Sequence, residues 1–80
     1  MPRLTHRAEK DLAQLPEPLR RKAQAIIARL DEEPALGKKL LADLKGLRSA
    51  RLGRSHRIIY EVKGDGVTVL TVSLRRDAYR

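Results

Sequence analysis

Arg57-Ile58-Ile59-Tyr60-Glu61-Val62-Lys63-Gly64-Asp65-Gly66-Val67-Thr68-Val69-Leu70-Thr71-Val72-Ser73-Leu74 is the stretch that decides the fold. Ile58, Tyr60 and Val62 alternate with Arg57, Ile59 and Glu61, a Gly-Asp-Gly break follows, and residues 67–74 are almost continuously β-branched or aliphatic. That is the pattern of a β-hairpin. A three-residue Gly64-Asp65-Gly66 loop supplies a glycine for the left-handed position and sets Lys63 opposite Val67. Tyr60 then faces Leu70, Ile58 faces Val72 and Arg57 faces Ser73. Tyr60 and Ile58 are expected in the core. On the other face Arg75 lies one diagonal step from Arg57, within reach of long side chains, so two arginines converge there.

Upstream, about Leu44 to Leu52 reads as a further strand carrying Arg48 and Arg51, with Gly46 and Gly53 interrupting its pattern. The first 37 residues follow a different period. Ala8, Leu12 and Leu15 recur at helical spacing up to Pro16, and Leu19, Ala23, Ile26, Ile27 and Leu30 form a second stripe. Pro18 suits the first turn of that second helix, Pro34 lies beyond its end, and Arg20, Arg21, Lys22 and Arg29 occupy its opposite face. Pro2 to Thr5 reads as a short edge strand. The expected architecture is α+β: one domain over residues 1–80, in which an N-terminal helical hairpin packs on one face of a small, mainly antiparallel, twisted sheet. The other face is expected to be open, basic and concave.

Charge is unevenly distributed over the 80 residues. Residues 1–37 carry seven Lys/Arg against six Asp/Glu, and residues 38–80 carry eleven against four, for a net charge of +8. Such a field attracts phosphate or an acidic protein; the plainer reading is a solvated, solubilising face. Zero cysteines exclude a disulfide framework, a thiolate nucleophile and a cysteine-based metal site. His6 and His56 are too few and too far apart to suggest a ligand set, so neither a metal nor another cofactor is expected. The sequence contains no Walker loop, no G-x-G-x-x-G, no G-x-S-x-G and no exposed aromatic pair of the kind an RNA-recognition sheet uses for stacking. Residues 1–12 lack the apolar core of a secretory signal, and no apolar run approaches the ~20 residues that span a bilayer. A cytoplasmic address is expected.

Three blocks carry a resemblance to a family. Lys45-Gly46-Leu47-Arg48-Ser49-Ala50-Arg51-Leu52, then Arg54-Ser55-His56-Arg57-Ile58-Ile59-Tyr60-Glu61-Val62, then Arg75-Arg76-Asp77-Ala78-Tyr79-Arg80 resemble, in content and order, toxins of the RelE/ParE superfamily. The resemblance covers essentially the whole chain. Its RelE branch implies the toxin of a type II toxin–antitoxin system, a metal-independent endoribonuclease that enters the ribosomal A site and cuts mRNA there. In such enzymes the 2′-hydroxyl attacks the adjacent phosphate, leaving a cyclic phosphate and a free 5′-hydroxyl. Carried over by position, Arg57 and Arg75 stabilise charge on the scissile phosphate, Arg51 lies near the 2′-hydroxyl, and Tyr79 packs on the nucleotide. Lys38, Lys39, Lys45, Arg48, Arg54 and Arg80 are expected as contacts to rRNA or phosphate. The implied partners are a cognate RelB-like antitoxin, the ribosome with its 16S rRNA, mRNA, and operator DNA indirectly through the antitoxin complex, with no membrane.

Two positions depart from the family pattern. Leu74 stands where many relatives have His or Lys, and His56 where Tyr usually precedes the strand arginine. By alternation His56 shares the side of Ile58 and Tyr60 and reads as a partly packed strand-end residue, not a base. Two other functions compete. The ParE branch has the same fold and poisons DNA gyrase, and a non-catalytic nucleic-acid-binding domain would grip phosphate without cutting.

Overall fold

The computed structural model describes residues 2–39, 46–64 and 66–74. Chain order runs β1 (Arg3–Leu4), α1 (His6–Gln14), α2 (Glu17–Arg29), β2 (Lys38–Lys39), β3 (Leu47–Leu52), β4 (His56–Lys63) and β5 (Gly66–Leu74). The strands form one sheet in the order β1-β5-β4-β3-β2, antiparallel except for the parallel β1–β5 pair. Two helices on a mostly antiparallel sheet is the expected α+β architecture, and β1 is the expected edge strand.

Local chemistry explains the helices. Thr5 caps α1 with its hydroxyl accepting the Ala8 N–H at 3.0 Å, which satisfies one of the donors a helix start leaves open. The chain turns extended at Leu15 and Pro16, and α2 restarts with Pro18 in its first turn, where a missing N–H costs nothing. Glu17 near the start and Arg29 near the end of α2 both complement the helix dipole. Ala8, Leu12, Leu15, Ala23, Ile27 and Leu30 bury against Ala50, Leu52, Ile58, Tyr60, Val67, Val69 and Val72, so the apolar stripes meet one face of the sheet. Among the described residues, no helix is long and apolar enough to cross a membrane.

Tyr60 ties the sheet to the segment after α2. Its side chain is fully buried, its hydroxyl donates to the Pro34 carbonyl at 2.8 Å and accepts the Gly37 N–H at 2.7 Å. Gly37 lies so close to β3 that a Cβ there would stand 2.6 Å from the Ser49 carbonyl oxygen; only glycine permits the approach.

The hairpin differs from expectation at its turn. Lys63 pairs with Gly66, not Val67, and Tyr60 pairs with Val69, not Leu70. Gly66 has φ +150°, a conformation that favours glycine, and it starts β5 instead of belonging to a three-residue loop. The register then shifts between Ile59 and Tyr60, so that Ile58 opposite Val72 and Arg57 opposite Ser73 hold as expected. The cause is the valine spacing. Val67 and Val69 are two apart, but Val69 and Val72 are three apart; with a period of two, an extra residue is needed to keep all three on the core side. Leu70 is that residue, and α1 secures the bulge on both sides. The Thr5 hydroxyl donates to the Leu70 carbonyl at 2.7 Å, while Asp11 Oδ2 accepts the Val72 N–H at 3.0 Å and the Thr71 hydroxyl at 2.7 Å.

Candidate functional site

Residues paired directly across adjacent strands project to the same side. Arg51 of β3 pairs with Arg57 of β4, and Arg57 pairs with Ser73 of β5. The neighbouring rung is Lys38, Ser49, Ile59 and Thr71. These two rungs lie on the face opposite the helix-facing core cluster, with Thr71 at the end of its rung also reaching Asp11 of α1. That face is less open than expected: Ser49 is 3% exposed, Ile59 7% and Arg57 9%. Ile59 stands outside the helix-facing core cluster, so β4 is buried on both faces, as befits the central strand.

The guanidinium of Arg57 donates from Nη1 to the Ser49 hydroxyl at 3.3 Å. Arg51 beside it is exposed. Like charges placed directly opposite one another on a sheet are destabilising. Cationic side chains gathered on one rung make a positive patch that attracts anions. On the helices, Arg7, Arg21 and Arg29 each have a carboxylate one turn away, at Asp11, Glu17 and Glu33.

The remaining expected contacts divide. Lys38, Lys39 and Arg54 are exposed, and Lys38 shares the arginine face through its pairing with Ser49. Arg48 behaves differently: it pairs with Tyr60 on the helix side of the sheet and donates from Nε to the Gly37 carbonyl at 3.0 Å. It anchors the chain instead of presenting a cation on the arginine face. Lys45, Arg75, Tyr79 and Arg80 lie outside the described residues. His56 is half-buried, with Nδ1 2.9 Å from the Ser55 hydroxyl. It pairs with Leu74, so the two departures from the family pattern face each other on the side opposite Arg57.

Sequence reasoning missed Ser49 as the support of Arg57. It also missed a hydroxyl pair next to the arginines, Thr71 Oγ1 and Ser73 Oγ at 2.7 Å. The available signal was a run of small hydroxyl residues at 49, 71 and 73 on the strand positions that share Arg57's side.

A family model described as the ParE toxin of the type II toxin–antitoxin system, parDE, matches residues 3–79. The chain belongs to the ParE toxin family. Among solved structures, the RelBE2 toxin–antitoxin complex of Mycobacterium tuberculosis is 32% identical over 91% of this chain and 94% of that one, with a TM-score of 0.69. The YoeB/ParE toxin of Agrobacterium tumefaciens is 25% identical over 94% and 99%, with a TM-score of 0.76. The RelB–RelE complex of Methanococcus jannaschii has the same fold, at 23% identity over 96% and 94% and a TM-score of 0.76. No curated protein matches the chain at a significant level. The RelE/ParE resemblance of the three sequence blocks therefore holds at the level of superfamily and fold. This ParE-family chain carries its adjacent arginines on the sheet face that the helices leave uncovered.

Proposed function

We propose that this toxin cleaves mRNA on the ribosome. The observation that supports the reading is the cross-strand Arg51–Arg57 pair, with Arg57 buried against Ser49. A 2′-hydroxyl attacks the adjacent phosphorus, the bond to the 5′-oxygen breaks, and the products are a 2′,3′-cyclic phosphate and a 5′-hydroxyl. The proton lost by the 2′-oxygen is balanced by the proton gained at the 5′-oxygen. Arg57 and Arg75 neutralise the charge that builds on the non-bridging oxygens, Arg51 binds beside the 2′-hydroxyl, and Tyr79 stacks on a base. Arginines supply charge stabilisation and positioning in place of strong acid–base chemistry, with the ribosome holding the mRNA in line. The partner that restrains the toxin is a RelB-like antitoxin with an acidic segment over the basic face, and operator DNA is reached through that complex. Its support is that matched structures are toxin–antitoxin complexes.

A second reading, inhibition of DNA gyrase without RNA cleavage, is favoured by the family model, which is that of ParE. One experiment separates the two. Primer extension on an mRNA in a reconstituted translation reaction is run with wild type, Arg57→Ala and Arg75→Ala, alongside a ribosome-free control and a gyrase supercoiling assay. Ribosome-dependent cuts at A-site codons that vanish in both variants support the nuclease. Intact mRNA together with blocked supercoiling establishes the gyrase reading instead.

A further inference from the structure

The hydroxyl pair on β5 has a fixed polarity. Asp11, on the second turn of α1, offers a carboxylate that only accepts, and Thr71 donates its single hydroxyl proton to Oδ2 at 2.7 Å. That proton is therefore unavailable to Ser73. In the 2.7 Å contact between the two hydroxyls, Ser73 must be the donor. With its proton committed to Thr71, Ser73 Oγ offers nothing but a lone pair to any ligand. It does so from the half-buried position directly across from Arg57 and on the same face. A buried anion site made only of guanidinium donors would grip any phosphodiester. A neighbouring oxygen that can accept but not donate adds a demand for a hydroxyl donor next to that phosphate.

We infer that Ser73 is a substrate-contacting residue that accepts a hydrogen bond from the ribose 2′-hydroxyl, and that Thr71 and Asp11 are positioning residues that hold its lone pair toward the site. The inference rests on the reading of this face as an RNA-cleavage site and names the group that tells RNA from DNA there. The bulge at Leu70 is part of the device, since it turns both Thr71 and Ser73 to the arginine side while their neighbour Val72 stays in the core. An accepted 2′-hydroxyl is held in one rotamer beside Arg57, which favours the in-line approach to the phosphorus. Ser73 takes no proton; it orients.

The test is an NMR titration of the ¹⁵N-labelled full chain with a short single-stranded oligoribonucleotide and with its 2′-deoxy counterpart, which detects binding into the millimolar range. Wild type is expected to bind the ribose form about three- to tenfold more tightly, the worth of one hydrogen bond. Ser73→Ala is expected to bind both forms equally, at the affinity of wild type for the deoxy form. Ser73→Thr keeps the hydroxyl and the preference. Thr71→Val, which frees the Ser73 proton, reduces the preference while Thr71→Ser restores it. Thermal melting of each variant excludes unfolding as the cause. A preference that survives in Ser73→Ala, or a wild type that binds both forms equally, overturns the inference while leaving the nuclease reading to be decided by ribosome-dependent cleavage. A wild type that binds neither form and cuts no mRNA overturns both.

Discussion

Arg57 carries opposite consequences for stability and for chemistry. Losing one donor that stabilises transition-state charge costs about 10²–10³ in rate, so Arg57→Ala should lower the primer-extension cleavage rate by about that factor. Arg57→Lys keeps the charge and loses the planar fork, so its rate should fall between the two. Arg51→Ala should do something the other variants do not: relieve the like-charge rung opposite Arg57, raising stability by about 0.2–1 kcal/mol in urea denaturation while reducing cleavage. Tyr60→Phe is a control at a residue of purely structural duty. It strands the Gly37 N–H and the Pro34 carbonyl, and the urea midpoint should report a loss of about 1–3 kcal/mol. The sequence separates Tyr60 from the site by alternation alone, because a tyrosine in an aliphatic period-two run faces the core. It could not separate Arg48 from Arg51 by residue type. Alternation does, since they lie three apart on one strand and hence on opposite faces.

The elements were legible where their periods are clean. Helical stripes, the Pro16 break and the alternation of β4 placed both helices and the central strand, while Arg57 opposite Ser73, which follows from a three-residue loop the hairpin does not have, holds because the bulge at Leu70 restores that register. The turn and the bulge depart from the expected hairpin, and their signal is the uneven valine spacing at 67, 69 and 72. Glycines flanking Asp65 favour several loop lengths equally, and only the core's demand for all three valines decides between them. Two-residue β2 has no pattern to detect. The bulge depends on α1 as much as on the strands, through Thr5 at Leu70 and Asp11 at Val72. Thr5→Ala removes both the helix cap and that tie. The expected cost is about 1–2 kcal/mol, read from denaturant unfolding, with the hydrogen-exchange protection of the β5 amides falling more than that of β3.

At the scale of the whole molecule, the second half carries the surplus of positive charge, a field that attracts polyanions, and the fold gathers Arg51, Arg57 and Lys38 from three strands onto one face. Binding to single-stranded RNA should weaken steeply with salt, and Arg51→Ala should reduce the log–log slope by about 0.7, the value for one phosphate contact. Composition could not specify which polyanion, because charge alone reads phosphate and not sugar. The closing strand has a further consequence, in time instead of space. β1 pairs with β5, and the Thr5 hydroxyl reaches a carbonyl 65 residues away, so β1 has no strand partner until β5 has emerged. Contacts this distant in the chain form late. A nascent chain arrested before β5 clears the ribosome should remain sensitive to protease, and one arrested after β5 has emerged should gain resistance, so the two ends of the sheet lock together in a single late step.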